Sequence, residues 1–383
     1  MKALQRNMGV DILMEEMKSE PQLPRFEWIE VTKGIGITCV ILVHSMIPWI
    51  NPVTIHLSSF TIPIFFVLAG LTYNNYRYRS NLRYFAVSRG KQFLIPYFFL
   101  SMIMIVLFLP LSSTVDSAFT PVEVFLWFLY GNGPPLSASH LWFLPVLYFG
   151  LMLFVITDRA LQRFPYYSRW IIAVAFPVIA LIIQSFFVPN LVPWRLSSVF
   201  VAATFVFIGN AMRQYRGLNP WLSSSRVRDA AVFILLSAIL LVVSDFNGFT
   251  DIAVDNLGKS PLIYLIPGII GSTLVFYASS ALVHSSPSKK MFMALGKNSQ
   301  ELYEVHPLAF YLVPIMVLPF GLPLFGLEHS MLFWPLRFIL GVGLGFILTK
   351  YLITRNRVLS MLFRGSPRII SVNKPKEASP LDA

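Results

Sequence analysis

The chain has 383 residues, of which 56% are hydrophobic and only 13% charged, with a mean hydropathy of +0.66 and a net charge of +12. A soluble domain carries about 25% charged residues, and the deficit here runs along the whole chain. That excludes an ordinary soluble or disordered protein and points to an all-α, polytopic membrane protein. The single cysteine, Cys39, allows no internal disulfide.

In chain order, residues 1–28 mix acids and bases without the apolar run of a signal peptide and read as a cytoplasmic tail. Ten apolar spans of about 17–22 residues follow, each enough to cross a bilayer. They lie near 33–50, 57–74, 94–112, 141–157, 170–188, 196–212, 230–246, 261–282, 301–320 and 331–352. The apolar stretch Phe119–Tyr130 is too short to cross and reads as re-entrant or interfacial. The membrane domain is therefore expected over residues 29–353, with 354–383 as a disordered cytoplasmic tail. With the N-terminus inside, 27 of the 30 Lys and Arg fall on the cytoplasmic side; Arg195 and Lys259 lie outside, and Arg337 lies within the last span. This asymmetry predicts both termini in the cytoplasm. It also accounts for the net charge, so no nucleic-acid partner is implied.

The first span carries the most informative pattern. Lys33 and His44 are eleven residues apart, three helical turns plus roughly 20°, so they share one face, with Glu30 close to it. An ionisable residue inside a membrane span is a candidate functional group. His44 has a side chain suited to general-base chemistry near neutral pH, or it packs against a neighbouring helix. In the second span, Pro63 removes one backbone bond and Gly70 permits close helix approach, both structural roles.

The loop before the third span carries Arg77, Arg79, Arg83, Arg89 and Lys91. These cations grip phosphates or simply follow the positive-inside bias, and Arg89 and Lys91 adjoin the membrane. Outside, His140 and Trp142 open the fourth span. Trp142 is either an interfacial anchor or an aromatic platform for a sugar ring, and Arg195, Asp251 and Asp255 are polar groups on the same side. Near the end, Asn298 or Ser299 reads as an N-cap with Glu301 in the first helical turn, followed by Glu304 and His306. Capping does not explain His306. No nucleotide-binding loop, serine-hydrolase elbow, zinc-binding motif or paired CxxC is present.

Six of these stretches, in order over roughly residues 25–310, resemble membrane acyltransferase family 3, with the closer likeness to its fucose 4-O-acetylase-like branch. They are KGIGITCVILVH, FTIPIFFVLAG, LIPYFF, HLWFLPVLY, FIGNAMRQY and LGKNSQELYEVHP. The resemblance implies transfer of an acetyl or other acyl group from acetyl-CoA (acyl-CoA) to a sugar hydroxyl of a surface polysaccharide or glycolipid, in a bacterial inner membrane. It implies no permanently bound cofactor and no metal. It also implies that His44 is the essential histidine, with Lys33 and Glu30 as its partners; that Arg89, Lys91 and Arg83 meet the donor; and that His140, Trp142, His306 and Glu304 meet the acceptor. The family often has Asp where Glu30 stands and Arg where Gln92 stands. A membrane transporter or flippase for a lipid-linked glycan is the other function that ten spans would suit, although matched broken helices in two halves are not visible.

Overall fold

The structure is a computed structural model and is described for residues 26–47, 49–74, 81–112, 120–131, 139–165, 167–187, 192–307 and 331–365. Among these residues the protein is helical, with no strand and one isolated bridge, Asp251 to Asn256, in the loop between residues 247 and 261. The helices are α1 (Glu27–Met46), α2 (Pro52–Thr61), α3 (Pro63–Leu71), α4 (Leu82–Ser112), α5 (Pro121–Leu129), α6 (Phe143–Ala160), α7 (Tyr167–Phe187), α8 (Leu196–Arg216), α9 (Arg226–Asn247), α10 (Pro261–Leu282) and α11 (Ser286–Lys297). A further helix, α12, is described over residues 299–307. Then come α13 (Trp334–Ile347), which continues as a π-helical turn over Leu348–Ile353, and α14 (Arg357–Arg364).

Eight helical stretches among the described residues are long and apolar enough to cross a membrane. They correspond to eight of the ten expected spans. The third expected span lies inside α4, whose 31 residues extend about 46 Å. The ninth, 301–320, is described only as far as residue 307. The second span is two helices, broken at Ile62, because Pro63 has no N–H to continue the ladder. The short stretch after residue 119 forms α5, nine residues capped by Thr120 and Glu123, about 13 Å long and too short to cross. Residues 357–364, expected in a disordered tail, form α14 instead. Asn356 caps its first turn, its side chain accepting from the Val358 and Leu359 N–H groups, and the helix packs on α4.

Helix α8 is the most enclosed of the described spans, packed between α3, α6 and α7. Its closest crossing is with α3, where Gly70 faces the Val206 carbonyl and Gly209 faces the Val67 carbonyl, so a Cβ on either would collide with backbone. Small residues let the two backbones touch without a side chain between them. Helix α1 is held in the same way: Gly34 meets the Phe292 carbonyl of α11, and Gly296 meets the Glu30 carbonyl. This second crossing fixes the N-terminal half of α1 beside the start of α12, and with it the spacing of Glu30, Lys33 and Lys297.

Candidate active site

The face of α1 that carries Lys33 lines a cavity of about 630 Å³. Its lining positions, Ile29, Lys33, Ile37 and Val40, step by three or four residues along the helix, and His44 is next in the same register. Lys33 is half-buried at one end and pairs with Glu30 at 2.9 Å. Around it stand Arg89 and Lys91 from α4, Lys297 from α11 and Arg364 from α14. The walls beyond are apolar, built by Phe65 and Leu68 of α3 and Phe143 and Leu147 of α6. A charged mouth leading to an apolar channel suits a ligand with an anionic head and a less polar arm. Arg83 is exposed on the first turn of α4 and does not line this cavity.

The mouth is tied together by amides. Arg89 Nη1 donates to Gln92 Oε1 at 2.5 Å, and Gln92 Nε2 donates to Gln300 Oε1 at 3.4 Å. Gln300 Nε2 reaches Glu304 Oε1, the Gln92 carbonyl and the Phe363 carbonyl, each at 3.1 Å. Gln92 thus links α4 to α12, a role the sequence did not indicate. Glu304 is buried, and its carboxylate joins this network rather than the histidines. Glu301 is not simply a first-turn acid: it is 1% exposed and ion-paired with Arg364 of α14. Asn298 closes α11, its amide donating to the Ala294 carbonyl at 2.7 Å and its Oδ1 accepting from Arg364 at 3.3 Å.

Beyond Val40, the last residue of α1 that lines the cavity, three histidines far apart in sequence come together. His44 Nδ1 lies 2.8 Å from His306 Nε2, with the rings within 14° of parallel. His306 Nδ1 lies 2.7 Å from the Tyr303 carbonyl, and His306 is fully buried. The His140 ring is centred 5.7 Å from that of His306, and its Nε2 donates to the Glu304 carbonyl at 3.3 Å. These contacts fix the tautomers of the pair when both rings are neutral. A carbonyl only accepts, so His306 Nδ1 carries the hydrogen and His306 Nε2 is the acceptor. His44 Nδ1 must then donate, which leaves a lone pair on His44 Nε2. His44 is half-buried, and its Nε2 has no hydrogen bond among the described residues. An imidazole oriented by a second group, with its far nitrogen open, is the arrangement of a general base or nucleophile.

Two further residues stand close by. Arg337 of α13 is 1% exposed and donates to the Ser45 carbonyl through Nε at 3.0 Å and Nη2 at 2.7 Å. It satisfies a carbonyl that the end of α1 would leave open, one residue beyond His44. Its only sequence signal was its position as a lone cation inside a span. Trp142 is 4% exposed, with the Arg195 guanidinium 5.8 Å from its ring centre. That burial removes the interfacial-anchor reading, which needs an indole at the lipid surface.

A family model described as an acyltransferase domain matches residues 26–350, nearly the whole span of the described helices. No curated protein and no solved structure matches the chain. The match covers the histidine cluster and the cation-lined cavity apart from Arg364 and Gly365, and it shows that the chain belongs to acyltransferase family 3, as a multi-pass membrane acyltransferase.

Proposed function

We propose that this acyltransferase moves an acetyl group from acetyl-CoA to a hydroxyl of a sugar in a surface polysaccharide or glycolipid. In this reading it resides in a bacterial inner membrane with both termini in the cytoplasm. The observation that carries it is the bonded chain from the Tyr303 carbonyl through His306 to His44. It leaves the lone pair of His44 Nε2 unbonded, on the helix face that one turn earlier lines the cavity.

The donor enters from the cytoplasm. Arg89, Lys91 and Lys297 meet its phosphates, and Lys33, held by Glu30, stands at the same mouth. The pantetheine arm follows the apolar channel along α1 for the roughly 16 Å between Lys33 and His44. Arg83 is a surface cation in this scheme. The acceptor arrives from the outer side, toward His140 and Trp142. His44 Nε2 takes the proton of the acceptor hydroxyl as its oxygen attacks the thioester carbonyl carbon. The carbon–sulfur bond then breaks, and the thiolate recovers the proton from the imidazolium. The same lone pair suits a brief acetyl-imidazole, with the acceptor attacking in a second step. His306 orients His44 in both schemes, and Glu304 supports α12 through Gln300.

The test is glycan O-acetylation in a strain lacking the gene, complemented with wild type or with His44→Ala at matched membrane levels. The expected result is that only wild type restores the acetate. Restoration by both would remove His44 from the chemistry, and unchanged acetylation with failed glycan export would favour a transporter.

A further inference from the structure

One buried cation has its bonding left incomplete. Arg195 is 3% exposed, and its Nε and Nη1 have no hydrogen-bond partner among the described residues. Buried donors in native proteins are rarely idle, and an orphaned one calls for an explanation. The backbone that places this side chain is itself unusual. Trp194 and Arg195 are both left-handed, at φ 51° and 49°, a conformation that bulky residues adopt only when surrounding contacts impose it. Those contacts are present. Trp194 N donates to the Tyr130 carbonyl at 2.8 Å, and its ring packs against Tyr97, Phe98 and Phe149. The turn directs Arg195 inward over the face of Trp142.

The charges around Arg195 discriminate between ligands. Asp251 and Asp255, in the loop between residues 247 and 261, lie within electrostatic reach, yet both carboxylates are engaged elsewhere. Asp255 accepts from Ser197 and, at 3.2 Å, from Ser198. Asp251 accepts from the Ala253 N–H at 2.9 Å. The guanidinium charge is therefore compensated at a distance while its donors stay unused. A ligand that supplies oxygen acceptors without a charge of its own completes this site, whereas an anion would be repelled by the two carboxylates. Tyr303 is also within reach of Arg195, and its ring is centred 5.7 Å from His140 and 6.1 Å from His306. The idle donors thus stand one side chain from the histidine cluster.

We infer that Arg195, braced by Trp142, is the hydrogen-bond donor of the acceptor subsite and that the subsite takes an uncharged polyhydroxyl ring, a neutral pyranose rather than a uronic acid. Naming this ligand as the acceptor rests on the acyltransferase reading; the binding site itself does not.

The experiment uses the full chain purified in detergent. Saturation-transfer NMR with methyl α-glucoside and methyl α-glucuronide reads the subsite, and calorimetry with acetyl-CoA on the same samples reads the donor side. The expected result is transfer to the glucoside and not to the glucuronide. Binding of the glucoside weakens at least tenfold in Arg195→Met and in Arg195→Lys, while acetyl-CoA still binds. The lysine variant keeps the charge and loses the planar fork, and it serves if the methionine variant does not fold. No glucoside binding to wild type, equal binding by wild type and both variants, or a preference for the glucuronide would each overturn the inference. Glucoside binding that depends on Arg195 in a protein that does not bind acetyl-CoA would leave the subsite standing and overturn the donor reading instead.

Discussion

The chemistry proposed for His44 depends on a neighbour 262 positions away in the chain. The carbonyl of Tyr303 sets the tautomer of His306, and His306 sets that of His44, so the reactive nitrogen is chosen by backbone geometry on α12. Replacing His306 with Ala should lower kcat about 10²-fold, in the range lost when acid–base catalysis is disturbed. KM for acetyl-CoA should hold, because His306 does not line the cation-lined cavity proposed for the donor. His306→Gln can still accept from His44 Nδ1 and should recover part of the rate. Steady-state kinetics on purified protein with both substrates varied will check this, and equal losses in the two variants would argue against an orienting role. Arg337 acts on the same residue through the end of α1. In Arg337→Met the Ser45 carbonyl loses a charged donor, and the protein should lose about 1–3 kcal/mol of stability. The readout is a lower thermal midpoint in detergent, and an unchanged midpoint would mean that water replaces the guanidinium.

Two features at the scale of helices hold the site together. The crossing of α3 and α8 leaves no room for a methyl group at Gly70 or Gly209. Gly209→Ala should push the pair apart and cost about 1–3 kcal/mol, as overpacking does. Thermal unfolding in detergent measures it. The other feature is α14, which closes the cation-lined mouth through Arg364. Its partner Glu301 is buried, so Arg364→Ala strands a carboxylate and should destabilise by about 3–5 kcal/mol. The double variant Glu301→Gln/Arg364→Gln leaves no stranded charge and should be the more stable of the two. If the single and double variants melt together, the pair is not a closed buried bridge.

For the whole molecule, the arrangement of cations predicts sidedness. In a Cys39→Ser background, Lys259→Cys should react with an impermeant maleimide in intact cells. Arg163→Cys and Arg216→Cys should react only after permeabilisation. Labelling of Arg216→Cys from outside would invert the topology and place the cation-lined mouth away from cytoplasmic acetyl-CoA. That result would remove the donor route while leaving the family membership intact.

The all-α membrane architecture was legible in the order of apolar runs and cations, because the hydrocarbon core enforces length and polarity locally. The Lys33 to His44 register was legible too, since it depends only on helical period. The π-turn after α13 and the docking of α14 were not, because both are settled by packing partners distant in sequence. The same holds for the site. His44 and His306 could be singled out as costly residues in a span, and His140 as an outside residue opening one, but no local pattern states that their rings meet. Arg195 appeared only as an outside cation, and Arg337 only as an oddity in the last span. Which cation becomes a buried donor, and which histidine nitrogen stays free, was decided by the tertiary structure alone. Burial and hydrogen-bond pairing are properties of the neighbours that folding brings, and those neighbours come from opposite ends of the chain.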